Sequence, residues 1–340
     1  MKRTILYVVL AFIVAPIFVS CYQSHKKKLD LAYALVESRP DSALALMKHI
    51  DQEGLSKEEM AKYALTYYIA QDKSGLDLDN DSLIRIAYDW YEGHQEDSLY
   101  VLCLNYMGKF YLLVDSMEQA KSCLEKAYFI SDSLHKMNVK RLVLDKLIEV
   151  EEQLEPYKAL RYAKDMLKMY DSMANVTIYN KVAARLRLGE NFFHVGSLQH
   201  ALEEERKAYR MAMKAGDSNL LSYVRQNLAS TFEEMGEKDS CLYYARLAYD
   251  LNAANRFSCL LTFASAYISV DSLNQAFSLL NQALPKTAED RYSVFYFQSQ
   301  AAMKAQDFKS AKSFSDSAYH YLEDMYRTAL QGKAAYYTSF

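Results

Sequence analysis

Cysteine and histidine are the residues of this sequence best suited to redox chemistry, metal binding or nucleophilic catalysis. The chain has 340 residues, with 5 cysteines and 7 histidines. No C-x-x-C pair and no His-Glu-x-x-His segment occurs, so the spacings typical of zinc sites and thiol–disulfide enzymes are missing. We expect four cysteines to be free and mostly buried: Cys103, Cys123, Cys241 and Cys259. A disulfide between two of them is the alternative, because an oxidising compartment permits it.

Motifs of nucleotide binding and hydrolysis are also missing. The sequence contains no G-x-G-x-x-G, no P-loop and no G-x-S-x-G. The acidic segment 77–81 lacks the central glycine and the terminal glutamate of an EF-hand, so we interpret it as a solvated loop. We therefore expect a protein that is not an enzyme and that holds neither a metal nor a cofactor.

Composition excludes several other classes. Only 9 glycines and 4 prolines are present, too few for the many turns of an all-β protein. Hydrophobic residues make up 51% of the chain, which excludes a disordered protein. The formal net charge of −3, from 40 basic and 43 acidic residues, argues against nucleic acid as a partner, because phosphate binding needs a basic excess.

The fifth cysteine, Cys21, follows a segment typical of protein export. Lys2 and Arg3 precede an uncharged run over 5–19, which has the length of a signal-peptide hydrophobic region and is short for a membrane span. The following Val19-Ser20-Cys21 resembles the lipobox of bacterial lipoproteins. A plain secretory signal and an uncleaved anchor remain as alternatives.

The lipobox resemblance implies a cleaved signal peptide over 1–20, acylation of Cys21 and a polar tether over 21–28. Several acyl chains would hold the protein durably on a membrane. The tether has no Asp beside Cys21 and no acidic cluster, features that resemble inner-membrane retention and surface-export signals, respectively. We expect the outer membrane, with the protein facing the periplasm.

The elements that position the remaining residues come from an internal repeat. One copy is clearest between residues 102 and 132, where large and small residues alternate at helical spacing: Leu104, Met107, Gly108, Tyr111, Ala120, Leu124 and Ala127. This spacing resembles the tetratricopeptide repeat (TPR), a helix–turn–helix unit of about 34 residues. The first small-residue position of the second helix recurs at 43, 83, 120, 159, 201, 241, 276 and 311, although position 83 holds a leucine.

The TPR resemblance implies an all-α fold, a right-handed α-solenoid of about eight antiparallel helix pairs. We place the solenoid at 29–335 and a C-terminal tail at 336–340. Asp-Ser pairs at 81–82, 115–116, 239–240 and 271–272 are expected to cap helix N-termini. Gly196 and Gly236 are expected in turns between paired helices.

In the TPR family the first helix of each pair lines a concave surface. By this resemblance, groove candidates are Asn105, Tyr106, Lys109, Arg187, Glu190, Phe193, Asn227, Tyr296 and Phe297. Their mixture of aromatic and polar side chains suits an extended peptide or a partner helix. The carboxylate clamp of chaperone-binding TPR domains is missing as a set, since Leu186 and Glu190 replace its lysine and asparagine.

These observations predict a non-catalytic, lipid-anchored scaffold that binds a protein or peptide in the cell envelope. Two alternatives share the repeat style. One is a sensory module related to TPR-containing, envelope-spanning transcriptional regulators. The other is a glycan-binding lipoprotein similar to the SusD class, although that class carries longer insertions.

Overall fold

The computed structural model describes residues 26–76, 78, 81–94, 98–135, 137–251 and 253–338. The predicted signal peptide and Cys21 lie outside these residues. Within them every regular element is a helix and no strand occurs, which confirms the all-α prediction. No helix in these ranges is both long enough and apolar enough to cross a membrane.

The chain divides into two compact units, Met1–Leu147 and Ile148–Phe340. The first contains α1 (26–35), α2 (Pro40–Met47), α3 (Lys57–Lys73), α4 (Ser82–Tyr91), α5 (Ser98–Leu113) and α6 (Met117–Ser133). The boundary falls within α7 (Met137–Leu154). The second unit contains α8 (Pro156–Ser172), α9 (Ile178–His194), α10 (Leu198–Ala215), α11 (Ser218–Glu234), α12 (Lys238–Tyr249), α13 (Arg256–Ser269), α14 (Leu273–Leu280), α15 (Ala288–Lys304) and α16 (Phe308–Thr338).

Consecutive helices pack in pairs. In the first unit α3 packs on α4 and α5 on α6, and in the second unit α9, α11, α13 and α15 pack on α10, α12, α14 and α16. We call the first helix of each pair an A helix and the second a B helix. The described residues contain sixteen helices, the number expected for about eight pairs, and the contacts above define six of those pairs. Within the second unit, successive A helices also pack side by side.

Small residues allow the two helices of a pair to approach closely. Ala120, Ala201 and Ala276 on B helices are fully buried, as their repeat positions predicted. A Cβ atom on Gly108 of α5 would lie 2.6 Å from Cγ of Leu124 on α6, closer than real carbon atoms approach. The contact between these two helices therefore requires glycine at position 108.

The turns between A and B helices differ from the predicted capping. The second residue after several A helices adopts a left-handed conformation, with φ between 53° and 75°: Asp115, Gly196, Gly236, Asp271 and Gln306. The next residue donates its N–H to the carbonyl five positions back, as in Ser272 to Tyr267 at 2.9 Å. This is the Schellman arrangement, which satisfies carbonyls at the end of a helix.

Asp81, Ser116 and Ser272 occupy the N-cap positions predicted for three of the Asp-Ser pairs, but the expected side-chain hydrogen bonds are not formed. The pairs do lie at the starts of α4, α6, α12 and α14, but none of these helices has a side-chain hydrogen bond at its N-cap. At two of the four pairs the aspartate, Asp115 or Asp271, occupies the left-handed position that ends the preceding A helix. Aspartate tolerates this conformation better than most residues.

Candidate partner-binding face of the second unit

Two of the predicted groove residues are buried. Asn105 and Tyr106 on α5 are each 5% exposed, and the Tyr106 ring packs edge-to-face against Tyr68 on α3 at 6.1 Å between centroids. Because α5 packs against α3, α4 and α6, these positions lie between helices rather than on a free surface. We correct their interpretation from partner contacts to core residues. The neighbouring Lys109 is half-buried and forms an ion pair with Asp72 of α3.

Three other predicted residues come together on two adjacent A helices of the second unit. The Arg187 guanidinium lies 3.6 Å from Oε2 of Glu190, one turn along α9. The amide of Asn227 on α11 donates to Oε1 of Glu190 at 3.1 Å. Glu190 thus links α9 to α11, and its side chain remains 37% exposed. This exposure leaves the carboxylate accessible from solvent.

A second carboxylate joins this group from α7. Glu152 lies 3.6 Å from Arg187 and accepts a hydrogen bond from the amide of Asn191 at 2.9 Å. Burial raises the pKa of Glu152, and the charge of Arg187 partly offsets that effect. Arg187 therefore stands between two carboxylates and can neutralise at most one of them.

The same linkage continues from α11 to α13. Ser265 on α13 donates to Oε1 of Glu233 on α11 at 2.7 Å, so this carboxylate is held by a hydroxyl group. We define the acidic A face as the surface formed by Glu152, Arg187, Glu190, Asn227 and Glu233. Glu152 lies in the part of α7 that belongs to the second unit, and the other four residues lie on α9 and α11, which pack side by side.

A buried glutamate lies behind the acidic A face. Glu205 on α10 is 1% exposed, and its Oε1 accepts a hydrogen bond from Thr231 of α11 at 2.8 Å. Its other oxygen, Oε2, is buried and has no hydrogen-bond partner. Burial, with an added contribution from the negative charge of Glu190, raises the pKa of Glu205 to about 7. This carboxyl group is therefore poised to gain or lose a proton near neutral pH.

Glycine at position 189 makes room for the Glu205 side chain. A Cβ atom there would lie 3.2 Å from Cγ of Glu205. In the corresponding place of other repeats, four residues after the small marker of the B helix, the chain carries Leu124 and Leu280. Sequence reasoning overlooked Glu205. The signal was available, because a charged residue occupies a repeat position that holds a buried apolar residue in six of the other seven repeats, namely Met47, Ala87, Leu124, Ala163, Ala245 and Leu280.

The predicted aromatic residues are dispersed. Phe193 on α9 is half-buried and contacts His194, whereas Tyr296 and Phe297 lie on α15. Tyr296 is 43% exposed and stacks on Tyr292, but Phe297 packs against the apolar core of the unit. Of these three, Tyr296 offers the largest exposed fraction to a partner.

The four cysteines of the described ranges are free, and three are buried. Burial raises the pKa of Cys123 to about 11 and that of Cys241 to about 12. Their thiols stay protonated at neutral pH, which makes them poor nucleophiles and poor metal ligands. Across the described part of the chain, no three His, Cys, Asp or Glu side chains are grouped so that they could hold a metal ion.

The fold is similar to those of solved proteins. The apo form of RapI superimposes with a TM-score of 0.66 at 14% sequence identity, over 88% of this chain and 86% of that chain. NprR in complex with its cognate peptide NprX gives a TM-score of 0.59 at 15% identity, over 85% and 86% of the two chains.

A third similar structure is a Signal Transduction ATPase with Numerous Domains from Pyrococcus horikoshii, which contains a tetratricopeptide repeat sensor. Its TM-score is 0.61 at 13% identity, over 90% of this chain and 47% of that chain. No protein-family model and no curated protein sequence matches this chain. The likeness establishes a TPR-like helical-repeat fold.

Proposed function

We propose that this chain is a non-catalytic scaffold that binds an extended segment of another protein on the acidic A face. The observation that carries the proposal is the cluster of Arg187, Glu190 and Asn227 on adjacent A helices. These side chains are partly exposed, and their donors and acceptors lie along one surface. An extended peptide presents N–H and C=O groups that such a surface can pair with.

Two further observations support this function. The similar structure of NprR was solved with its cognate peptide NprX, so this type of helical array can hold a peptide. The partly exposed polar groups also lie on packed helices, which position a binding surface more rigidly than loops do. The scaffold is proposed to be attached to the outer membrane through acylated Cys21 and to face the periplasm.

Site-specific photo-crosslinking in the intact envelope tests the proposed function. A photoreactive phenylalanine derivative at His194, exposed at the end of α9, should capture a partner protein. The same group at Tyr243, which is 59% exposed on the B helix α12, should not. Arg187→Ala should reduce capture from position 194. Arg246→Ala, at an exposed arginine on α12, is the matched control and should leave capture unchanged.

Two results would count against the scaffold function. One is capture from position 243 but not from position 194. The other is equal capture by the Arg187→Ala protein and the Arg246→Ala control.

A further inference from the structure

We infer that the segment bound on the acidic A face presents a lysine or arginine side chain to Glu190, close to the buried Glu205. The inference rests on the proposed function and specifies the chemistry of the partner. It follows from the charges of the surface and from the unpartnered carboxylate oxygen behind it.

The acidic A face has more carboxylates than cations. Arg187 is shared between Glu152 and Glu190, and each ion-pair distance is 3.6 Å. Glu233 receives its hydrogen bond from the neutral Ser265. Three carboxylates on α7, α9 and α11 therefore share the single cation of the defined face. A surface with this excess attracts cations and repels acidic segments.

The other arginines of α9 and α11 do not balance this charge. Arg185 of α9 binds Glu204 at 2.8 Å, on the side of the helix that faces α10. Arg225 of α11 donates to the carbonyl of Leu247 at 3.0 Å. His194 at the end of α9 also lowers the pKa of Glu152, but by less than Arg187 does.

Glu205 supplies an independent observation that points to a ligand. Its side chain lies between α9 and α11, the two helices packed against α10, and its Oε2 has no hydrogen-bond partner. Of the groups on those helices, Thr231 donates to Glu205 and Glu190 repels it. A buried carboxylate with a neutral donor on one oxygen and nothing on the other is costly in free energy.

A ligand cation near Glu190 would reduce the excess of negative charge on the acidic A face. Its positive charge would offset the repulsion between Glu190 and Glu205 and would favour the ionised form of the buried carboxyl group. Since the pKa of Glu205 is about 7, a nearby cation should displace up to about half a proton per site at pH 7.

Isothermal titration calorimetry of the full-length protein in detergent tests the inference. The probes are three blocked hexapeptides, (Lys-Ala)3, (Ser-Ala)3 and (Glu-Ala)3, titrated at pH 7 in buffers of different ionisation enthalpy. We expect (Lys-Ala)3 to bind at least about tenfold more tightly than the other two, with net proton release. Glu205→Gln should abolish the proton release, and Glu190→Gln should weaken binding about tenfold. Glu289→Gln, at an exposed glutamate on α15, is the matched control and should change neither quantity.

Three outcomes would overturn the inference. They are equal affinities for (Ser-Ala)3 and (Lys-Ala)3, proton release that persists in Glu205→Gln, and the absence of binding by all three peptides. An unchanged circular dichroism spectrum of each variant would exclude unfolding as the cause of a loss of binding or of proton release. The photo-crosslinking from position 194 tests the scaffold function independently. Capture of a partner there would support the scaffold function even if the titrations contradict a basic segment.

Discussion

At the scale of single residues, Glu205 shows how one substitution in a repeat pattern changes local chemistry. Leu124 and Leu280 fill the equivalent places in other repeats with apolar side chains. At position 205 the same place holds a carboxyl group, accommodated by Gly189 and bonded to Thr231. A core position is thereby converted into an ionisable one directly behind the acidic A face.

The raised pKa of Glu205 predicts a pH dependence of stability. The folded group titrates at about 7, compared with 4.5 for an ordinary glutamate. Between these pH values the folded protein retains a proton that the unfolded chain has released. The free energy of unfolding should therefore fall as pH rises through this window, by on the order of 3 kcal/mol for this group.

Thermal melting of wild type and Glu205→Gln between pH 4 and pH 8 measures this effect. We expect the variant to gain melting temperature relative to wild type as pH rises, and Glu289→Gln to follow wild type. Parallel curves for wild type and Glu205→Gln would show that position 205 does not titrate in this range.

A second residue-scale prediction concerns the left-handed turn positions. Gln306 has φ 60° and an exposed side chain, whereas Gly236 occupies the equivalent position with φ 75°. Gln306→Gly should raise the free energy of unfolding by about 0.5–1 kcal/mol, and Gly236→Ala should lower it by about 1 kcal/mol. Urea denaturation of both variants checks the pair. A loss of stability in Gln306→Gly would contradict this account of the turn.

At the scale of elements, each A–B pair depends on small residues where the helices approach most closely. Ala201 of α10 is fully buried, and its carbonyl oxygen lies 3.5 Å from where a Cβ of Gly189 would be. The pair α9–α10 thus has little space for larger side chains at this contact. Adjacent pairs share A-helix contacts, so damage to one pair should spread to the next.

Ala201→Leu tests the close approach. We expect a loss of about 1–3 kcal/mol from overpacking, seen as a lower melting temperature. Ala215→Leu, at the exposed end of the same helix, is the matched control and should change stability by less than about 0.5 kcal/mol. Equal melting of the two variants would mean that the repeat register assigned to α10 is wrong.

At the scale of the whole molecule, membrane attachment is a prediction from the N-terminal sequence. It depends on the uncharged run over 5–19 and on the Val19-Ser20-Cys21 sequence. A protein anchored in this way would expose its helical units to the periplasm. The proposed partner would bind to it in that compartment. The described residues begin after this segment, at residue 26.

Cys21→Ala tests the anchor. The variant should appear as a soluble periplasmic protein or as an uncleaved precursor, because the acylated thiol is lost. Cell fractionation and metabolic labelling with a radioactive fatty acid measure the change, and Cys123→Ala serves as the control. Recovery of Cys21→Ala as a membrane protein of mature size would exclude lipid anchoring at this residue.

The sequence by itself determined the helical architecture, because repeat spacing is a local property of the chain. The interval between Gly108 and Ala120 already defines one pair of helices and the turn that joins them. The sequence also identified Arg187, Glu190 and Asn227 individually, since their repeat positions place them on A helices. Local periodicity thus specifies which face of a helix a residue occupies.

Only the tertiary structure decided which of these faces are covered and which side chains meet. Tyr106 was predicted on the groove surface, yet the packing of α3 and α4 against α5 buries it. The contact between Glu190 and Asn227 joins residues 37 positions apart. The ionisation of Glu205 likewise depends on burial and on the distance to Glu190. These are properties of packed neighbours rather than of sequence spacing, because desolvation and Coulomb interactions act through space.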